Sequence, residues 1–215
     1  QMIDDWYVLG LAGTGSKAGL AEDVFVPAWR TLPWSSLLTG TAPGRAVHPD
    51  YLLGRAPRNF VTPFSLNPVT VGLATRALEL ATELICKQAA TPPQPDWPAM
   101  QSKFADATMD IELANLIVST ATQRNAEVLR AGLPITEQDI ALTRMRGSRA
   151  CELAKQGIEK IAAISGSKFV YDTNPLQRIL RDALTAASHR SSSFELAGLS
   201  YFAELVGTCA AGLSS

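Results

Sequence analysis

Histidine is almost absent from this chain: His48 and His189 are the only two in 215 residues. Cysteine is nearly as rare, at Cys86, Cys151 and Cys209, an odd number at wide spacing. No Cys-x-x-Cys pair exists and no histidine lies near a cysteine, so no metal site is expected and no disulfide framework. The thiols are expected to be buried and reduced, as in a cytoplasmic protein. An excess of one charge is lacking too: 19 basic residues face 20 acidic ones, for a net charge of −1. That balance removes the electrostatic basis for binding nucleic acid or an anionic membrane. No run approaches the ~20 apolar residues that a membrane helix needs. The first residues, Gln1 to Asp5, show no signal-peptide pattern. Gly-x-Ser-x-Gly, the phosphate loop and His-Glu-x-x-His are all missing.

What remains is a chain rich in apolar and small residues. Hydrophobic residues make up 47% of it, enough to build one substantial core. Residues 1–30 favour strands. Trp6-Tyr7-Val8-Leu9 suits one strand, Gly13-Thr14-Gly15-Ser16 a turn, and Glu22 to Pro27 a second strand. Two strands alone are marginal, so partners are expected from elsewhere. The chain is therefore expected to be a piece of a longer protein, or a processed one. Residues 31–65 hold five prolines, Pro33, Pro43, Pro49, Pro57 and Pro63, and read as an irregular linker with one short helical piece.

From residue 66 the pattern is helical. Asn67-Pro68 reads as an N-cap followed by proline at the first helical position. Leu73, Ala77, Leu80 and Leu84 form a stripe, and the stiff connection 91–98 follows. A second helix covers about 99–131, with Phe104, Ala107, Ile111, Ala114, Val118 and Ala121 on one face. Thr136 and Asp139 form a capping box for a third helix to about Ile164, whose face carries Ile140, Gly147, Cys151, Ala154, Ile158 and Ile161. Pro175 opens a fourth helix to about His189; Ser192 and Glu195 cap a fifth, ending near Ala211. The fold expected is mainly α: an antiparallel up-down helical bundle preceded by a short β segment.

Chemistry concentrates in Gly166 to His189. His189 ends a helix, where it can cap or complement the dipole; equally, imidazole is suited to proton transfer near neutral pH. Arg181 and Asp182 are adjacent on one helix, so they cannot pair across it and must find partners elsewhere.

With these residues laid out, the chain resembles the C-terminal part of the acyl-CoA dehydrogenase superfamily. WYVLGLAGTGSKAGLAEDVFVPAWR is similar to the end of that family's middle β-domain. GSKFVYDTNPLQRILRD is similar to its C-terminal bundle, and LRDALTAASH to the branch of flavin-dependent monooxygenases, the oxygenase components of two-component aromatic hydroxylases. The resemblance implies that residues 1–30 end a middle β-domain and that 66–215 form the C-terminal bundle. It implies His189 as the catalytic base or hydrogen-bond partner, Trp6 beside the flavin ring, and Gly166, Ser167 and Lys168 towards the flavin phosphate. It implies reduced FMN or FAD from a separate flavin reductase, a small-molecule substrate, and a homo-oligomer, a tetramer. Two alternatives stand beside it: an acyl-CoA dehydrogenase-like flavoprotein, with Glu195 or Glu204 as base, and an inactive oligomerising bundle.

Overall fold

The computed structural model describes residues 1–88 and 97–213. Of the connection expected at 91–98, residues 91–96 lie outside them, while Trp97 and Pro98 already belong to the following helix. Three short helices, α1 (Trp34–Leu38), α2 (Gly44–Val47) and α3 (Arg58–Val61), precede five longer ones. These are α4 (Pro63–Gln88), α5 (Trp97–Ala131), α6 (Glu137–Ile164), α7 (Pro175–Ala187) and α8 (Phe194–Leu213). The 31–65 region thus holds three short α-helices, the 3-10 turn Leu52–Arg55 and the start of α4 where one helical piece was expected. Prolines cause this: Pro33, Pro43 and Pro57 each sit just before a helix and set its entry angle.

The β segment is not borne out. Among the described residues no strand is formed, only one antiparallel bridge between Met2 and Gly19. Two hydrogen bonds flank that bridge, Ile3 N–H to the Ala18 carbonyl and Leu20 N–H to the Gln1 carbonyl. Trp6 to Leu9 and Glu22 to Pro27 have strand composition but no neighbouring strand to pair with, and two strands cannot sustain a sheet. Gly13 to Ser16 does turn, through the single 3-10 turn Ala12–Thr14.

Two of the expected helix starts are formed as expected and two are displaced. The Thr136–Asp139 capping box is formed in both directions. Asn174 caps α7 by accepting the Leu176 N–H at 3.0 Å. Asn67, by contrast, is not a cap. α4 begins four residues earlier at Pro63, which places Pro68 inside the helix and Asn67 in the core at 1% exposure. Pro68 is the sixth residue of α4, where it removes the bond to the Phe64 carbonyl, and the helix continues through it. For α8, Ser193 rather than Ser192 takes the capping position, accepting the Leu196 N–H at 3.3 Å. Ser192 is instead buried. Of the cysteines only Cys151 is buried; Cys86 and Cys209 are exposed on α4 and α8, because each falls off the buried stripe.

α6 is the central helix, packed by α4, α5, α7 and α8. Contacts along it fix the directions. Lys160 reaches Asp106 and Asp110 of α5 at 2.6 Å each, near the start of α5 but the end of α6. Leu129, at the far end of α5, shares a cluster with Ile140. The two helices are antiparallel. Thr70 of α4 meets Cys151, and the Gly147 backbone lies against Asn67, so α4 runs parallel to α6. The expected faces form the core: Ala107, Ile111, Ala114 and Ala121 of α5 and Ile140, Cys151, Ala154, Ile158 and Ile161 of α6 are all buried.

Small residues set the spacing. A Cβ at Gly157 would stand 2.6 Å from Ile111 Cγ1 and 3.2 Å from the Ala107 carbonyl. Gly157→Ala is expected to destabilise the fold by about 1–3 kcal/mol through overpacking, read as a lower urea midpoint. The capping box makes a second expectation. Hydrogen bonds from Thr136 hold the Asp139 carboxyl below its ordinary value of 3.8. A lowered folded pKa means the stabilisation is full above 3.8 and is lost as pH falls through the folded value. Asp139→Asn should therefore destabilise at neutral pH, and its deficit against the natural chain should shrink in melts taken below that range.

Candidate functional site

α7 organises the site, with one cleft at each end and a backbone grip between. Its N-terminal approach is the loop 166–174. Gly166 has φ +66°, a conformation L side chains avoid, and turns the chain out of α6. Ser167 and Lys168 follow in a 3-10 turn, and the Asn174 side-chain amide donates to the Lys168 carbonyl at 3.1 Å. Lys168 lines a cleft of about 560 Å³ with Lys87, Glu83, Tyr171 and Asn174, between the end of α4 and the start of α7. Two ammonium groups at a helix N-terminus suit an anion there.

Midway, the adjacent Arg181 and Asp182 clasp the N-terminal segment. The Leu11 N–H donates to Asp182 Oδ1 at 2.6 Å, and Arg181 Nη1 donates to the Leu9 carbonyl at 3.2 Å. Gly10 between them is buried, and a Cβ there would lie 2.2 Å from the Arg181 carbonyl oxygen. The partners of this pair are thus backbone groups of the N-terminal segment and, for Arg181 Nε, the Gln177 side-chain oxygen at 3.2 Å, not ions on a neighbouring helix. The half-buried Trp6 turns its indole N–H back to the Leu11 carbonyl at 3.3 Å.

At the C-terminal end the helix stops at Ala187. His189 lies outside it with extended ψ 135°, and caps the 3-10 turn Arg190–Ser192 rather than α7 itself. Its Nδ1 accepts the Ser191 N–H at 3.2 Å and lies 2.6 Å from Ser191 Oγ. The turn is fastened at two further points. Ser148 Oγ of α6, whose proton is shared with the nearer Arg144 carbonyl at 2.8 Å, lies 3.2 Å from the Ser191 carbonyl, and Ser192 Oγ donates to Asn67 Oδ1 of α4 at 2.8 Å. His189 faces a cleft of about 260 Å³ with Arg58, Asn59, Thr62, Arg144 and Ser191. Arg58 also lies over the Trp34 ring, 5.1 Å from its centroid.

The structure therefore keeps the expected residues apart. Gly166, Ser167 and Lys168 stand together at one end of α7. His189 stands at the other, about 20 Å away for 13 residues at 1.5 Å each. Trp6 lines neither cleft. Arg58, Asn59 and Ser191 were missed because they come from a proline-rich stretch and a serine run with no periodicity. Their one signal was the run Ser191-Ser192-Ser193 directly after His189-Arg190.

A family model described as "Acyl-CoA dehydrogenase, C-terminal domain" matches residues 65–194, from α4 through the His189 turn. The chain belongs to this family. One relative is the flavin-dependent monooxygenase oxygenase subunit HsaA of Rhodococcus jostii strain RHA1, 32% identical over 206 residues. The match covers 93% of this chain and 53% of that protein. The oxygenase component of the FADH2-dependent resorcinol hydroxylase of a Rhizobium species is 26% identical, across 91% of this chain and 50% of the relative. The crystal structure of a 3-HSA hydroxylase from Rhodococcus sp. RHA1 superposes with a TM-score of 0.89 at 28% identity, covering 96% of this chain and 54% of that one. The chain thus spans about half the length of these relatives.

The clasp on α7 can be tested by itself. Gly10→Ala and Asp182→Ala are both expected to release the Leu11 amide to fast hydrogen exchange while the α5 and α6 amides stay protected. Unchanged protection at Leu11 would show that the segment is held by other contacts.

Proposed function

We propose that this chain is the C-terminal portion of a flavin-dependent monooxygenase that hydroxylates an aromatic or similar small substrate with O2. The observation that carries the reading is the fastened His189 turn beside a cationic cleft, in a chain whose relatives are named as oxygenases and hydroxylases. Residues 1–30 are the end of a β-domain whose remaining strands supply the missing pairing. Residues 31–65 are the linker, and 66–215 the helical bundle.

The cofactor of this reading is reduced FMN or FAD, delivered by a separate flavin reductase. When bound, reduced flavin supplies the electrons that activate O2. The donor set fits such a group. Lys168, in the loop before α7, and Lys87, near the end of α4, line the cleft with Glu83 and would meet its phosphate, with Gly166 and Ser167 shaping the loop. At the other end His189 handles the substrate proton as base or hydrogen-bond partner, and α7 sets the separation between the two. Trp6, joined to Leu11 and through it to Asp182, would lie beside the flavin ring in the complete protein. A dehydrogenase reading needs a carboxylate base at the reacting end. None lines the His189 cleft, and Glu195 and Glu204 are exposed on α8.

The same reading makes the protein a homo-oligomer, a tetramer. Leu196, Leu199, Phe202 and Val206 recur at steps of three and four along α8 and are 39–64% exposed, an apolar stripe of the sort that covers another subunit. No helix among the described residues is long and apolar enough to cross a membrane. The proposal places the protein in the cytoplasm.

The test uses the full-length parent protein with reduced flavin, isotopic O2 and a panel of phenols. Label in a hydroxylated product is the expected result; reduction of the flavin by an acyl thioester, with no labelled product, would overturn the reading. His189→Ala is expected to lower product formation by about 10²-fold and leave flavin binding nearly unchanged. Phe202→Glu should lower the mass seen by light scattering.

A further inference from the structure

We infer that the cleft between α3, the start of α4 and the second half of α5 binds a small uncharged molecule, mainly hydrocarbon, that carries one hydroxyl group. The cleft holds about 420 Å³, within the range of small-molecule sites. Its walls are apolar: Leu52 and Leu53 from the 3-10 turn, Val61 from α3, Phe64 from α4, and Ala126 and Leu129 from α5. Leu52, Val61 and Leu129 pack in the same cluster as Phe60 and Ile140, so the fold itself fixes these walls.

One polar group is set into this apolar surface. Asn125 of α5 is only 7% exposed, and its Nδ2 donates to the Phe60 carbonyl at 3.3 Å. A carbonyl can only accept, so the amide nitrogen faces Phe60 and Oδ1 faces away from it. Oδ1 has no hydrogen-bond partner among the described residues, and it is not sealed in the core. An acceptor left open in an apolar wall is costly until a donor reaches it. The other hydroxyls of the lining do not serve. Thr62 Oγ1 donates to the Arg58 carbonyl, Ser65 Oγ donates to the Thr62 carbonyl at 2.8 Å, and Thr122 is exposed. A lone water on Oδ1 would lack the roughly three partners that buried waters make. A ligand hydroxyl satisfies Oδ1 while its hydrocarbon body covers the walls.

Charge points the same way. No carboxylate lines the cleft, and its single ionic side chain is Arg58, whose guanidinium is already engaged over the Trp34 ring. An ion entering so apolar a space would lose more hydration than one engaged cation returns.

Occupancy has a consequence for α3. This helix is one turn, Arg58–Val61, followed by the Thr62 N–H donating to the Arg58 carbonyl at 3.0 Å. A single turn opens readily unless packing holds it. Arg58 and Thr62 line both this cleft and the His189 cleft. A ligand packed on α3 therefore steadies one wall of the His189 cleft, and acts on it as an effector. None of this rests on the flavin reading.

The experiment titrates the 15N-labelled 215-residue chain with borneol, with camphor and with camphor-10-sulfonate. Camphor keeps the skeleton of borneol but has an acceptor carbonyl for the hydroxyl; the sulfonate adds a negative charge. Borneol is expected to shift the Val61, Thr62 and Ala126 amide resonances saturably. It should also slow exchange of the Thr62 amide at least about fivefold, with the α6 amides unchanged. Camphor should bind at least about tenfold more weakly, and the sulfonate more weakly still. Asn125→Leu should bring borneol and camphor to equal affinity. Ala126→Phe, which fills the cleft and leaves Asn125 in place, should abolish the shifts with little change in the urea midpoint. No binding of borneol or of the smaller cyclohexanol would overturn the inference. So would equal binding of camphor, tighter binding of the sulfonate, or borneol shifts that survive Ala126→Phe. Binding to the 215-residue chain that is lost in the full-length parent would overturn it too, because another part of the protein would then fill the cleft.

Discussion

The close approach of backbones along α6 is the constraint on which the other elements depend. At Gly157 the space for a Cβ is taken by Ile111 of α5; at Gly147 it is taken by Asn67 and Pro63 of α4. Between these points Ala150, Cys151 and Ala154 are fully buried. Small side chains let three helices pack almost at backbone contact, where dispersion contacts are densest. The same closeness delivers polar groups. Ser148 reaches the Ser191 carbonyl and Asn67 reaches Ser192 only because α4 and α6 lie so near each other.

α7 then works as a spacer. Its start is fixed by Asn174 and Pro175, its end by the fastened serine turn, and its outer face by the clasp of Arg181 and Asp182 on Leu9 to Leu11. Most of these contacts use hydrogen bonds to backbone groups; the Ser192–Asn67 bond joins two side chains. Such bonds specify position more than they add stability, since a typical one contributes about 1 kcal/mol net. An apolar contact could have held the helix equally well but would not have oriented the imidazole.

The N-terminal segment shows the limit of local composition. Val24, Phe25 and Val26 are 52–87% exposed, while Trp29 in the following 3-10 turn is covered in part by the Arg30 guanidinium, 4.6 Å from its ring centroid. They have the makings of strands but no sheet. Local preference for the extended state is too weak to order a strand until cross-strand pairs and a buried face add to it.

Helix existence, the buried faces of α5 and α6, the Thr136 capping box and the Asn174-Pro175 start were legible in the sequence. Each is decided within a few residues, by period, cap chemistry or proline geometry. The resemblance of 166–189 to a known family was legible in the same way, as residues in order along the chain. The start of α4 was not, because Asn67 is claimed by Ser192, 125 residues away, and a buried hydrogen bond outweighs a capping preference. Nor was the second cleft, whose arginines come from α3 and α6 and whose histidine comes from a turn. The sequence by itself determined that long amphipathic helices form and which stripe of each is buried. Only the tertiary structure decided which charges share a cleft with His189 and what fastens the turn behind it, because those depend on segments that meet only when the helices pack.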